Sequence, residues 1–216
     1  LIETAESQLR RGDPEAALGS VRSFAQLELV EPLRRTGEAA LLISPESWIA
    51  SSMRRIGEQL GEGGRERLLV QAEIAQQQAL HSGAIAELEA YLRLYPDLPQ
   101  AAAVRLALAR ELHGRGSSQR AELLLLQNRN SDDPVIAGTA TRELAELWER
   151  HGLYDEAARL LAELDGRFAT SAVSGPRSGR DLVKQWDDES MAKIALKRRR
   201  GPDWPINNVS VSSVLW

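Results

Sequence analysis

Residues 133–168 read DPVIAGTATRELAELWERHGLYDEAARLLAELDGRF. Pro134 suits the first turn of a helix, and Gly152 suits the left-handed residue that follows a helix end. Asp155 can then cap a second helix. Four apolar positions of that helix follow the i, i+3, i+4, i+7 spacing of one buried face: Ala157, Leu160, Leu161 and Leu164. The stretch therefore predicts two helices joined by a tight turn.

Alanine pairs twelve positions apart extend this two-helix unit along the chain. The pairs are Ala5 with Ala17, Ala72 with Ala84, Ala109 with Ala121, and Ala145 with Ala157. Each pair straddles a predicted helix break, and small residues at these points allow the two helices of a unit to approach closely. The pairs predict repeated helical hairpins, with a less regular pair at roughly residues 27–64 that contains a helix start at Ser44-Pro45.

The regular pattern stops in two places. The run Gly61-Glu62-Gly63-Gly64 predicts a flexible turn. After Phe168, serine, glycine and proline cluster as in a linker, followed by a short element at 180–186, a helix at 188–197 and a Val-rich strand that ends at Trp216. We therefore predict a helical repeat domain at residues 1–169, and a linker with a small C-terminal tail at 170–216.

Composition narrows the possible functions. The formal charge of -4, from 27 basic and 31 acidic residues, gives no general attraction to nucleic acid or to an anionic membrane. Cysteine is absent, which excludes disulfides and thiolate chemistry. No apolar run approaches the roughly 20 residues that span a bilayer. The first residue is leucine, so we expect a processed form or a piece of a longer chain.

The helical unit resembles the tetratricopeptide repeat family. The residues that carry the likeness are Leu144, Ala145, Trp148, Gly152, Tyr154, Ala157 and Leu161. Ala169 stands where that family has a closing proline, and Ala109 and Ala145 lie 36 positions apart, which is longer than the family's usual period. The resemblance implies an all-α fold: an α-solenoid of about five antiparallel helical hairpins, here followed by a small irregular C-terminal tail with a short helix and a terminal strand.

The tail has a second resemblance. The run Gly179-Arg180-Asp181-Leu182-Val183, followed by Trp204-Pro205 and the Val-rich strand, is similar to bacterial envelope proteins that join helical repeats to a quinoprotein-like β-propeller. This resemblance implies a periplasmic or cell-envelope location; without it, a cytoplasmic location is expected. It also implies an alternative role, as a structural spacer or accessory domain within a larger propeller-containing protein.

Catalytic chemistry is not indicated. His81, His113 and His151 each lie near the end of a predicted helix, where an imidazole meets unpaired carbonyl groups. The glycine run lacks the lysine and hydroxyl of a phosphate-binding loop. Acidic neighbours flank the basic run at residues 197–200, which disfavours a nucleic-acid site. We therefore expect no enzyme activity, no cofactor and no metal site.

The family resemblance also implies where a partner binds. Family members hold ligands along the concave surface made by the first helix of each unit, and the side chains there are long, polar and of mixed charge, which suits peptide recognition. A solvated helix face is the alternative interpretation. By position, the candidate partner-binding residues are Glu73, Gln76, Gln77, Arg110, His113, Arg142, Glu146, Glu149 and Arg150. The sequence thus predicts a non-enzymatic interaction or scaffold module for a protein or peptide, or for the remainder of its own longer chain.

Overall fold

The computed structural model describes residues 1–27, 32–34 and 42–199. These residues form eleven helices: α1 (Ile2–Arg10), α2 (Pro14–Ala25), α3 (Pro45–Gln59), α4 (Glu62–Ser82), α5 (Ile85–Leu94), α6 (Ala101–Gly114), α7 (Ser118–Arg129), α8 (Pro134–Arg150), α9 (Tyr154–Gly166), α10 (Gly179–Gln185) and α11 (Met191–Arg199). Two short antiparallel strand pairs complete them: β1 (Leu33–Arg34) with β2 (Leu42–Ile43), and β3 (Ala172–Ser174) with β4 (Arg177–Ser178). The prediction of an all-α fold with helical hairpins is confirmed. The predicted terminal strand lies outside the described residues.

The first compact unit spans Leu1–Leu124. Within it, α2 packs on α1 and α3, and α5 packs on α3, α4 and α6. Phe24 of α2 and Trp48 of α3 meet edge to face, with ring centroids 4.7 Å apart. The helix start predicted at Ser44-Pro45 is confirmed, because the Ser44 hydroxyl accepts a hydrogen bond from the Ser47 N–H at 3.1 Å and caps α3.

The second unit spans Leu125–Trp216. Here α8 and α9 form a hairpin, and α10 and α11 both pack on α9. Strand β3 lies against α8, where a Cβ on Gly138 would come within 2.7 Å of Val173 Cγ2. Lys193 of α11 is buried, and its ammonium group donates to the Val183 carbonyl at the end of α10. The stretch predicted as a linker thus contains a β-hairpin that packs into the unit.

Three helical hairpins share one turn. Gly12, Gly116 and Gly152 have φ values of 73°, 81° and 78°. In each turn the glycine N–H donates to the carbonyl three residues back, and the next N–H donates to the carbonyl five residues back. This is the Schellman motif, which satisfies the last carbonyls of a helix. The alanine pairs that flank these turns are all buried, as close packing of the two helices requires.

The turn between α4 and α5 differs. Gly83 follows α4 directly with φ 65°, and Ala84 is the half-buried N-cap of α5 rather than a residue in its core. Leu88 occupies the buried position one turn into α5. The pair Ala72 and Ala84 therefore does not mark the contact between α4 and α5 in the way that the other alanine pairs mark theirs.

Three local predictions are wrong. The glycine run is not a flexible turn: only Leu60 and Gly61 separate α3 from α4. Gly64 lies in the first turn of α4, where a Cβ would come within 2.8 Å of Leu60 Cδ2. The less regular helical pair predicted at roughly residues 27–64 has only one helix among the described residues, α3, and the strands β1 and β2 precede it. Pro32 lacks the N–H that a helix interior needs. Asp155 is not the cap of α9, which begins at Tyr154, but its carboxylate still lies in the first turn.

Candidate functional site

Helix α4 carries exposed apolar side chains in addition to its buried stripe. Leu68, Ala72 and Ala79 are buried on the side that faces the rest of the first unit. Outside this stripe, four large aliphatic side chains keep much of their surface in solvent: Leu69 (45%), Val70 (51%), Ile74 (51%) and Leu80 (39%). A helix on the surface of a globular domain normally has one apolar stripe. The exposed aliphatic side chains of α4 are therefore additional to the stripe that packs on its own unit.

The exposed side chains of α4 form two adjacent rows. One row has the spacing i, i+4, i+7, i+11 and consists of Leu69, Glu73, the half-buried Gln76 and Leu80. The next row has the same spacing and consists of Val70, Ile74, Gln77 and His81. Glu62 and Glu66 precede both rows at the N-terminal end of the helix. We call this surface the outer face of α4: Glu62, Glu66, Leu69, Val70, Glu73, Ile74, Gln77, Leu80 and His81.

The charge of the outer face is negative. Glu62, Glu66 and Glu73 are exposed and form no ion pair with other described residues. The two arginines of α4 are engaged elsewhere in the first unit. Arg65 donates to the Gly57 carbonyl from Nε at 2.7 Å and to the Glu58 carbonyl from Nη2 at 3.1 Å, and Arg67 forms an ion pair with Glu15 of α2. The face therefore combines aliphatic side chains with carboxylates.

The predicted partner-binding residues of α4 meet on or beside this face. Glu73 and Gln77 are exposed within it. Gln76 lies at its edge, half-buried, and its Nε2 donates to the Gln100 carbonyl at 3.2 Å, next to the start of α6. The structure thus brings two of the three together with aliphatic residues that the sequence analysis did not select.

The predicted residues of α6 lie in its last two turns. Arg110 is exposed, and His113 is half-buried with Nδ1 3.5 Å from the Ser118 hydroxyl. His113 shares its position near a helix end with His81, in the last turn of α4, and with His151, the C-cap of α8. This placement agrees with the structural interpretation of the three histidines.

On α8, three of the four predicted residues have partners within the second unit. Arg142 donates from Nη1 to the Ser174 hydroxyl at 3.2 Å and pairs with Glu143, while its Nε lies 3.7 Å from Glu146 Oε1. Arg150, the last residue of the helix, also has an interaction, and its side chain is exposed.

Glu149 has the most specific contacts of the α8 set. Its Oε2 accepts from Trp186 Nε1 at 3.0 Å, and its Oε1 accepts from the Ala192 N–H at 3.2 Å. Ala192 lies in the first turn of α11, where N–H groups have no acceptor within the helix. The carboxylate supplies that acceptor and also places a negative charge at the positive end of the helix. Glu149 therefore joins α8 to the C-terminal segments of its own unit.

An open groove lies on the inner side of α4, between α4 and α5. It has a volume of about 580 Å³, and its lining residues are Ala75, Gln78, Ala79, Glu87, Ala90, Tyr91, Leu94 and Tyr95. The Tyr91 hydroxyl is buried and has no hydrogen-bond partner among the described residues. Burial raises the pKa of Tyr91 to about 12, with a further increase from Tyr95 and an opposing effect of Arg105. Burial likewise lowers the pKa of Arg105.

These titratable groups do not form a catalytic set. A phenol whose pKa is raised stays protonated at neutral pH and is a poor base or nucleophile. No group of three or more His, Asp or Glu residues within the described ranges is arranged to hold a metal ion. In the same ranges, no helix is both long and apolar enough to cross a bilayer.

Comparison with known proteins gives no match: no family model, no curated protein and no solved structure corresponds to this chain. The tetratricopeptide-like and propeller-associated resemblances therefore stay hypotheses. The geometry of the outer face of α4 is the basis for a functional interpretation.

Sequence reasoning missed Leu69, Val70, Ile74 and Leu80 because it used the apolar residues of α4 only to find the buried stripe. A signal was present. After the stripe of Leu68, Ala72 and Ala79 is assigned to the core, four large aliphatic residues remain on the same helix with no predicted partner. A surplus of this kind indicates a second contact surface.

Proposed function

We propose that this protein is a non-enzymatic interaction module that binds another protein through the outer face of α4. The observation that carries the proposal is the set of four exposed aliphatic side chains in two adjacent rows of one helix, together with three exposed carboxylates. Apolar patches rimmed by polar residues are typical of protein-binding surfaces. Glu73 and Gln77, which the family resemblance assigned to the binding surface, belong to this face.

A comparison of the free energy of apolar burial with the cost of association supports a protein partner of moderate size. At about 25 cal/mol per Å² of apolar surface, covering each half-exposed aliphatic side chain contributes roughly 1–2 kcal/mol. The loss of translational and rotational freedom on association costs about 4–15 kcal/mol. The four side chains therefore offset the lower part of that range, and polar contacts from residues such as Gln77 are needed for a stable complex. Since the helix is already formed, ordering it on binding costs little.

The experiment is site-specific photo-crosslinking in cells that produce the protein. A photoreactive amino acid at Ile74 samples the outer face of α4, and the same amino acid at Ala162, an exposed position of α9, is the control. We expect a specific adduct from Ile74 that the control position does not give. Adducts to a flanking part of the same gene product would instead support the alternative role as a spacer in a larger chain.

The partner identified in this way is then tested by affinity. Ile74→Asp places a charge among the aliphatic residues and should weaken binding by about fivefold to thirtyfold, because roughly 1–2 kcal/mol of apolar contact is lost. Val135→Asp is the matched control, since Val135 is an aliphatic residue of similar exposure, 45% against 51% for Ile74, in the first turn of α8. Equal affinities of the two variants would contradict the proposal.

A further inference from the structure

We infer that the outer face of α4 binds a basic amphipathic helix: a helical segment with aliphatic side chains along one face and lysine or arginine on its flanks. The inference rests on the proposed function and specifies the chemistry of the partner.

The shape of the face favours a helical partner. The two rows run from Leu69 to Leu80 and from Val70 to His81, each about 16 Å long at 1.5 Å per residue. A partner helix of about three turns presents side chains at i, i+3 or i+4, and i+7 over the same length. Parallel rows of side chains form ridges with a groove between them, and the side chains of a second helix fit such a groove.

The backbone of the face disfavours an extended partner. An added β-strand obtains its affinity from main-chain hydrogen bonds to an open sheet edge. Along α4 the N–H and carbonyl groups are paired within the helix, so no edge is available. Gln77 is the one amide side chain of the outer face, which gives few hydrogen bonds to an extended main chain. Side-chain packing must therefore supply most of the contact.

The charge of the face selects the flanks of the partner. Glu62 and Glu66 lie at the N-terminal end of the aliphatic residues, and Glu73 lies between Leu69 and Leu80. No described cation pairs with these carboxylates, because Arg65 and Arg67 are directed to other acceptors. Lysine or arginine at matching positions would pair with these carboxylates. The same carboxylates repel phosphate groups, which argues against an anionic membrane or a nucleic acid as the occupant.

The test uses three synthetic fluorescent peptides and the purified 216-residue chain. The first peptide is a helix-stabilised amphipathic sequence with leucine on one face and lysine on the flanks. The second carries glutamate in place of lysine. The third has the composition of the first in an order that destroys the helical period. Binding is measured by fluorescence anisotropy at about 50 mM and about 500 mM salt.

We expect the lysine peptide to bind at least about tenfold more tightly than the other two, and to lose affinity severalfold at the higher salt concentration. In the Glu66→Lys/Glu73→Lys variant the preference should shift toward the glutamate peptide. Glu3→Lys/Glu111→Lys is the control of equal charge change on α1 and α6, and should keep the preference for lysine.

Equal binding of the lysine and glutamate peptides, or no measurable binding of either, would overturn the inference. The proposed function fails separately, if Ile74→Asp leaves the affinity of the crosslinked partner unchanged. A charge preference that survives in the Glu66→Lys/Glu73→Lys variant would also exclude this face as the peptide site.

Discussion

Helices α4 and α8 are both first helices of a hairpin, and both carry polar residues at predicted binding positions, but those residues have different surroundings. On α8, Arg142 contacts β3, and Glu149 contacts Trp186, the residue that follows α10, and the first turn of α11. On α4, Glu73 and Gln77 face solvent beside exposed aliphatic residues. Position within a repeat therefore does not determine whether a side chain is available to a partner; the segments that follow the repeat decide it.

The largest effect should come from the packing around α9. A Cβ on Gly179 would lie 2.4 Å from the Leu164 carbonyl oxygen and 2.5 Å from that of Phe168. Since backbone atoms cannot move aside cheaply, Gly179→Ala should lower the free energy of unfolding by about 3 kcal/mol. Gly166→Ala, where a Cβ has open space, is the control and should change it little. Urea denaturation measures both, and equal stability of the two variants would contradict the close contact.

The difference between α8 and α4 can be tested directly by replacing one carboxylate on each helix with an amide. Glu149→Gln weakens acceptance from Trp186 and Ala192 and should lower the free energy of unfolding by about 2 kcal/mol, with a change in tryptophan fluorescence. Glu73→Gln on α4 should change it by less than about 0.5 kcal/mol, because no described residue pairs with that carboxylate. If the two substitutions cost the same, the distinction between the helices is wrong.

The inner side of α4 gives a smaller effect, through Tyr91 of α5. Removing a hydroxyl that has no described partner, by Tyr91→Phe, should change the free energy of unfolding by less than about 1 kcal/mol at neutral pH. The folded pKa is raised from the model-compound value of 10.0 to about 12, so the stabilisation of the neutral phenol is complete below pH 10.0 and is lost as the pH rises toward 12.

Absorbance titration near the phenolate band should show one tyrosine of the wild type ionising near pH 12, and Tyr91→Phe should abolish that step. Between pH 10 and 12 the wild type should lose stability more steeply than the variant. Parallel pH profiles of the two proteins would show that Tyr91 is not the group responsible.

The smallest effect should come from the cap of α10. Hydrogen bonds from the Ser178 hydroxyl and N–H lower the pKa of Asp181. A carboxyl group with a lowered folded pKa stabilises the fold above its unfolded pKa, and that stabilisation is lost as the pH falls through the folded value. Asp181→Asn should therefore be less stable at neutral pH and show a flatter decline in melting temperature on acidification. An unchanged acid profile would exclude the capping box as a contributor.

The sequence predicted the parts of the fold that local signals specify. The left-handed turn at Gly152 was recognisable within a few residues, and Pro45 and Pro134 each stand at a helix start. The error at the glycine run depended on a contact that spacing does not reveal. Gly64 lies in the first turn of α4, where its missing Cβ leaves room for the Leu60 side chain.

Contacts between residues that are distant along the chain could not be predicted from the sequence either. The residues that form β3 and β4 look like a linker in composition, yet Val173 packs into the space left by Gly138, and Thr139 donates to the Val173 carbonyl at 2.7 Å. Glu149 looked like a surface carboxylate because its partners lie 37 and 43 positions away. The candidate residues of α4 were found from the family pattern, whereas the aliphatic part of that face became visible only with side-chain exposure.

The buried ammonium group of Lys193 can be used to measure the opening of α11, because an amine-acylating reagent reaches it only when the helix moves away. The sequence contains three lysines, Lys184, Lys193 and Lys197, all of them on α10 and α11. Apart from the N-terminal amine, an amine-acylating reagent therefore labels these two helices alone, and it leaves α4 untouched. Mass spectrometry of Lys193 acylation over time, with exposed Lys184 as the internal standard, would measure how often α11 detaches from its unit.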